Sequence, residues 1–167
     1  GISTTMAYKI YRTYRASSFD VLKRNPYQLC LDIWGIGFKT ADQIALKLGL
    51  PEDSLDRVKA FVLYLLEKDN DEGHVYSEQA EVIRRCQEEL GAEAGRVEAA
   101  LAALVNDRSL IAKETPSGIH LYRPFFYQAE EEVARRIISL TGRDCPPPDF
   151  DLDRKIEEIE KKSGLVF

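Results

Sequence analysis

No apolar run in the 167-residue sequence approaches the roughly 18 residues that a membrane helix needs, and the start, Gly1-Ile2-Ser3-Thr4-Thr5, lacks the basic and apolar regions of a secretory signal. A cytoplasmic location is expected, with no membrane among the partners. Cysteine is scarce and odd in number, and Cys30, Cys86 and Cys145 lie more than fifty residues apart. That spacing suits reduced thiols and excludes a disulfide framework and a paired-cysteine metal site. With only His74 and His120 available, zinc is not expected, and no Ser/His/Asp or Cys/His set offers catalysis. What is present, 44% hydrophobic and 31% charged residues, is the composition of a globular protein long enough to bury roughly 70% of its unfolded surface.

The net charge of -5 hides an asymmetry. Residues 1–50 carry seven basic side chains against three acidic, a net of +4, whereas residues 51–167 carry sixteen against twenty-five, a net of -9. A first third that touches a polyanion, followed by a remainder facing solvent or protein, would show this split; so would ordinary solvated helix faces.

One internal repeat stands out at an offset of 34 residues: Gly1-Ile2-Ser3, Ala7 and Ile10 match Gly35-Ile36-Gly37, Ala41 and Ile44. Each copy reads as a tight turn feeding an amphipathic helix, with Ala7, Ile10, Tyr11 and Tyr14 on the first face and Ala41, Ile44, Ala45 and Leu48 on the second, which stops at Gly49. Phe19 to Leu22 and Tyr27 to Ile33 suggest two short helices between them. From Leu55 a helix runs to about Asn70; then come a stub of strand at His74-Val75-Tyr76, a helix capped by Ser77 and closed by Gly91, and a helix through Val97 to Val105. Two strands, 110–114 and 119–122, flank the turn Thr115-Pro116-Ser117-Gly118. The expected fold is mainly α: a tandem helix-hairpin-helix domain over 1–54, then a winged helix-turn-helix-like domain with a small β-hairpin and a trailing helix over 55–143. Residues 144–167, with the stiff Cys145-Pro146-Pro147-Pro148 and a short charged helix, read as a linker.

The second turn carries the most chemistry. Glycines permit positive φ and leave amides open, and the following helix adds the partial positive charge of its N-terminus. Gly35, Ile36, Gly37, Lys39 and Thr40 are therefore the expected grip on a DNA phosphate, independent of base sequence. Gly1, Ser3 and Thr4 form a weaker second hairpin of the same kind, and Lys9, Arg12 and Lys47 supply supporting positive charge. Alternatively the two glycines merely let helices pack closely. Trp34 and Phe38 flank the turn; stacking on a base is open to both, but core packing is the expected role.

Other motifs fail on spacing. A single residue separates Gly35 from Gly37 and a helix precedes them, so they form no nucleotide-binding P-loop. Asp149 to Glu160 imitates a calcium loop but places Arg154 where a glycine must turn. Glu130-Glu131-Glu132 cannot converge on one helix.

Asn25-Pro26-Tyr27-Gln28-Leu29, the run from Asp32 to Ala45, Glu72-Gly73-His74-Val75-Tyr76, the Ile119 to Tyr122 strand and Ala134-Arg135-Arg136-Ile137 are similar to the N-terminal region of RecD/TraA-type DNA helicases in their long RecD-like form. The resemblance implies an accessory region preceding a superfamily 1 motor that uses ATP and magnesium to move 5'→3' on single-stranded DNA in repair and recombination. The motor's motifs lie outside this sequence, so no catalysis, cofactor or metal is expected within it. Gly1 and Phe167 both read as cut points in a longer chain. DNA, single-stranded or at a junction, the helicase's own motor and other repair proteins are the implied partners. A protein-interaction module and a winged-helix transcription regulator are the competing readings. The regulator is disfavoured because Glu93 to Ala100 offers one arginine and two glutamates where a recognition helix brings several donors.

Overall fold

The computed structural model describes residues 3–142, 149 and 151–164 and divides the chain into two compact units, 1–131 and 132–167. In the first unit, α1 (Thr4–Tyr14), a 3-10 turn, α2 (Ser18–Arg24), α3 (Gln28–Asp32) and α4 (Phe38–Lys47) precede α5 (Leu55–Asp71). Then follow β1 (Ser77–Glu78), α6 (Gln79–Leu90), α7 (Ala94–Asn106), β2 (Ile111–Thr115), β3 (Gly118–Tyr122) and the start of α8 (Pro124–Thr141). The antiparallel sheet has the order β1-β3-β2, with Ser77 opposite Leu121 and Ala112 opposite the same residue from the other side. The fold is mainly helical, a helix-hairpin-helix region followed by a winged-helix-like arrangement.

Helix ends follow local chemistry. Ser54 caps α5 by accepting the Arg57 amide at 3.3 Å, and Gly91 (φ +70) closes α6 in the left-handed conformation that glycine adopts at least cost. α4 gives way to Gly49 at φ +82 for the same reason. Three readings shift. The short strand lies at Ser77–Glu78 rather than 74–76, and Ser77 caps no helix: it pairs with Leu121 while its hydroxyl donates to Asp69. On α1 the inward stripe is Met6, Ile10 and Tyr14, leaving Ala7 and Tyr11 exposed. Leu48 is exposed too.

One apolar core runs from Ile10 to Leu121. Its joint between the hairpin region and α5 is aromatic: the Phe38 ring lies 5.9 Å from Tyr27, 5.0 Å from Phe61 and 5.7 Å from Tyr64. A polar clamp reinforces the joint. Arg57 Nε and Nη2 donate to the two oxygens of Asp42 at 2.8 and 3.0 Å, Tyr27 Oη donates to the same carboxylate at 2.7 Å, and Arg57 Nη1 reaches the Glu52 carbonyl at 2.9 Å. Burial, then the bond to Asp42, pushes the Tyr27 hydroxyl pKa up, and that carboxylate holds Arg57 more firmly charged. Arg85 and Ser77 bond to Asp69 in the same manner, tying α6 and β1 to α5.

The buried Cys86 thiol is pushed up to about 12, and Cys30 to about 11, each chiefly by burial. A folded-state pKa above that of the unfolded thiol contributes stability that is complete below the unfolded value, 9.0, and is lost as pH rises toward 12. Thermal melts should therefore be flat from pH 7 to about 9 and fall above it. Cys86→Ala should lower the plateau and make the alkaline fall shallower without removing it, since Cys30 and Tyr27 are raised too; an unchanged limb would place the sensitivity in those groups.

In the second unit the later turns of α8 expose Val133, Ile137, Ile138 and Leu140, so the amphipathic stripe read from the sequence buries no residue. α9 (Leu152–Ser163) is capped by Asp151, which accepts the Arg154 amide at 3.2 Å, and ends at Gly164 with φ +69. The proline run at 146–148 lies outside the described residues.

Candidate nucleic-acid interface

The second hairpin is the stretch between α3 and α4. Ile33 and Ile36 are both buried, and the Ile36 amide donates to the Ile33 carbonyl at 3.1 Å. Two inward anchors so close together force a tight turn, and Gly35 supplies it at φ +84. Gly37 differs from the sequence reading, which gave it positive φ: its φ is -88° and ψ 174°, extended backbone that any residue adopts. A Cβ placed there would meet nothing within 4 Å, so neither strain nor helix packing requires a glycine at 37. What glycine leaves at this position is open space over the start of α4.

That start is uncapped. Gly37 provides no side-chain hydrogen bond to the helix, and the amides of Gly35, Gly37, Phe38 and Lys39 find no acceptor among the described residues. The first amides turned inward are those of Thr40 and Ala41, both donating to the Gly37 carbonyl at 3.1 and 3.2 Å. Open donors at the positive end of a ten-residue helix have the chemistry that an anion's oxygens accept.

The first repeat differs at one amide: Ser3 Oγ accepts the Met6 amide at 3.3 Å and gives α1 a side-chain cap, with Thr4 as its first residue, while the Thr4 and Thr5 amides find no acceptor among the described residues. Gly1 lies outside the described residues. The offset-34 repeat thus conceals a difference in chemistry: one turn gives its helix a side-chain cap, and the other gives none.

Positive charge gathers at the open turn. Lys39 is exposed in the first turn of α4, beside the half-buried Thr40. Lys9, on α1, brings Nζ to 3.5 Å from where a Cβ on Gly35 would stand. Arg12 follows Lys9 by three positions and shares its helix face. Lys47 is eight residues along α4, about 12 Å from Lys39, and is not brought to the turn. None of the seven basic side chains of residues 1–50 forms an ion pair among the described residues. The acids nearby are engaged: Asp42 by Arg57 and Tyr27, Asp32 by Tyr14 and Gln28. The +4 of this third is therefore uncompensated by internal pairing.

Trp34 overturns its expected core role. Phe38 is buried, as expected, but Trp34 is 95% exposed at the rim of a cleft of about 800 Å³ between the hairpin and α5. With Ile33 and Ile36 both turned inward, the residue between Ile33 and the glycine turn is left pointing out. Of the two roles the sequence leaves open to Trp34, its place between a buried isoleucine and a glycine is the signal against core packing.

The winged-helix-like part presents a different surface. Its one arginine at the start of α7, Arg96, reaches Asp53 at 3.3 Å, while Glu93 and Glu98 stay exposed. On β2, Lys113 Nζ lies 3.4 Å from the Tyr127 hydroxyl. His120 is buried and stacked on Tyr76 with ring centres 3.9 Å apart. No groups of three or more His, Cys, Asp or Glu converge as metal ligands among the described residues. No helix of the described residues is long and apolar enough to cross a membrane. Residues 1–76, a span covering both hairpin repeats and all of α5, match the family model of the ATP-dependent RecD2 DNA helicase HHH domain.

Proposed function

We propose that residues 1–76 are the accessory DNA-contacting region of a RecD2-type helicase acting in repair or recombination, and that the second hairpin grips the DNA backbone without reading its sequence. The observation that carries this reading is the uncapped start of α4, where the open amides of Gly35, Gly37, Phe38 and Lys39 lie beside the unpaired ammonium groups of Lys9 and Lys39. Phosphate accepts such bonds, and a contact confined to phosphate carries no base information. ATP hydrolysis and 5'→3' movement would belong to the motor. Residues 77–131, with Arg96 engaged and an acidic surface, serve as a spacer and protein-facing platform. The exposed Val133, Ile137 and Leu140 favour a second reading for the C-terminal unit, as a contact for the motor or another repair protein.

Fluorescence anisotropy with a labelled oligonucleotide across a salt series tests the grip. Log affinity should fall by about 0.7 to 0.9 per decade of salt for each neutralised phosphate, and Lys39→Ala should remove about one such increment. Gly37→Val should melt like the parent chain, since its backbone is extended and its Cβ unobstructed. It should nonetheless weaken binding by roughly tenfold or more, because the new side chain covers amides that bond a charged oxygen. If both variants stay folded and bind as the parent does, the hairpin is a packing element and the protein-docking reading replaces this one.

A further inference from the structure

We infer that Trp34 stacks on an unpaired base whose phosphate occupies the adjoining amide cradle, so that the hairpin discriminates single-stranded from duplex DNA. The inference rests on the backbone-gripping reading and adds to it the form of DNA recognised. Trp34 has the greatest exposure of the large apolar side chains, at 95%, and its ring contacts no other aromatic group among the described residues. Isolated exposed apolar residues are ordinary on a protein surface; this one differs in its setting. Its Cα is one peptide, 3.8 Å, from that of Gly35, beside the open amides and the ammonium of Lys9. The backbone beneath it is fixed by the buried Ile33 and Ile36 and the hydrogen bond between them. The ring therefore stands on an anchored stretch of backbone within one nucleotide's reach of the open amides, so that only the side chain itself remains to be ordered on binding.

The surroundings favour a base over a second phosphate. Leu63 and Tyr64 line the same cleft as Trp34, and the charges along it are mixed, with Lys59 held by Asp107 at 3.1 Å. A flat, neutral, polarisable group suits such a cleft. Stacking requires a free π-face, which an unpaired base offers and a paired base inside a duplex does not.

Trp34 is the only tryptophan in the sequence, so its emission reports on this position alone. Titrating the 167-residue chain with a single-stranded oligonucleotide should quench that emission saturably, and the matching blunt duplex should quench it far less. Trp34→Ala, which removes an exposed ring and should leave the melting temperature unchanged, should weaken single-strand binding by about 5- to 150-fold, the range that base–aromatic stacking spans. Duplex binding should stay as it was, and Trp34→Phe should keep most of the single-strand affinity. A strand with abasic positions should bind the parent chain as weakly as the intact strand binds Trp34→Ala. If Trp34→Ala binds single strands normally while Lys39→Ala does not, stacking is refuted and the phosphate grip stands; if neither variant loses affinity, both fail. Equal losses on single-stranded and duplex DNA would refute base stacking in favour of a general surface contact. Intact DNA binding with lost association to a protein partner would make Trp34 a protein-docking residue instead.

Discussion

Asp42→Ala should cost about 3–5 kcal/mol of stability, the loss expected when one member of a largely buried ion pair is removed and the other is left without compensation. The Asp42 carboxylate accepts two guanidinium bonds and the Tyr27 hydroxyl at once. Its removal leaves the Arg57 charge facing a low-dielectric joint, held only by the Glu52 carbonyl, and strands a buried phenol. For a chain of this size each kcal/mol moves the melting temperature by about 2–4 °C, so the expected drop is about 6–20 °C. The double variant Asp42→Leu with Arg57→Leu removes both charges and should recover much of that loss, because the desolvation cost disappears together with the attraction. Calorimetry of the three proteins checks this. Equal destabilisation in the single and double variants would show that Asp42 acts through packing instead.

The same clamp shows why parts of this fold were legible in the sequence and parts were not. α4 and α5 were readable because apolar residues recur at helical spacing and a glycine or a serine marks an end. The β2–β3 hairpin was readable from its turn, Thr115-Pro116-Ser117-Gly118. Ser77 was not: serine is a common helix cap, and only the pairing of β1 with Leu121 and the nearby Asp69 carboxylate, forty-four and eight residues away in sequence, draw it into a strand. α1 misled for a related reason. Two stripes of its surface carry apolar side chains, and the bond from Tyr14 to Asp32 at 2.8 Å helps fix the one that faces inward. At the hairpin the structure shows a difference between the repeats: Ser3 accepts one amide of its helix with its own hydroxyl, and Gly37 has no hydroxyl to offer.

Phe38 and Trp34, four residues apart and indistinguishable as aromatic neighbours of a glycine turn, should respond to truncation in opposite ways. Phe38→Ala removes the ring that Tyr27, Phe61 and Tyr64 surround, and leaves a cavity at the joint between α4 and α5. Deleting a buried phenylalanine costs about 3–5 kcal/mol, since transfer free energy is lost and the surrounding structure closes only in part. Phe38 also begins α4, so loosening it disorders the amides that follow Gly37, and DNA affinity should fall along with the melting temperature. Trp34→Ala should leave the melting temperature where it was and change only the affinity for unpaired DNA. Measuring melting and binding on both variants separates a residue that holds the turn in place from one that the turn presents. A Trp34→Ala protein destabilised as severely as Phe38→Ala would mean that the indole is packed in solution, and the exposed position described for it would be wrong.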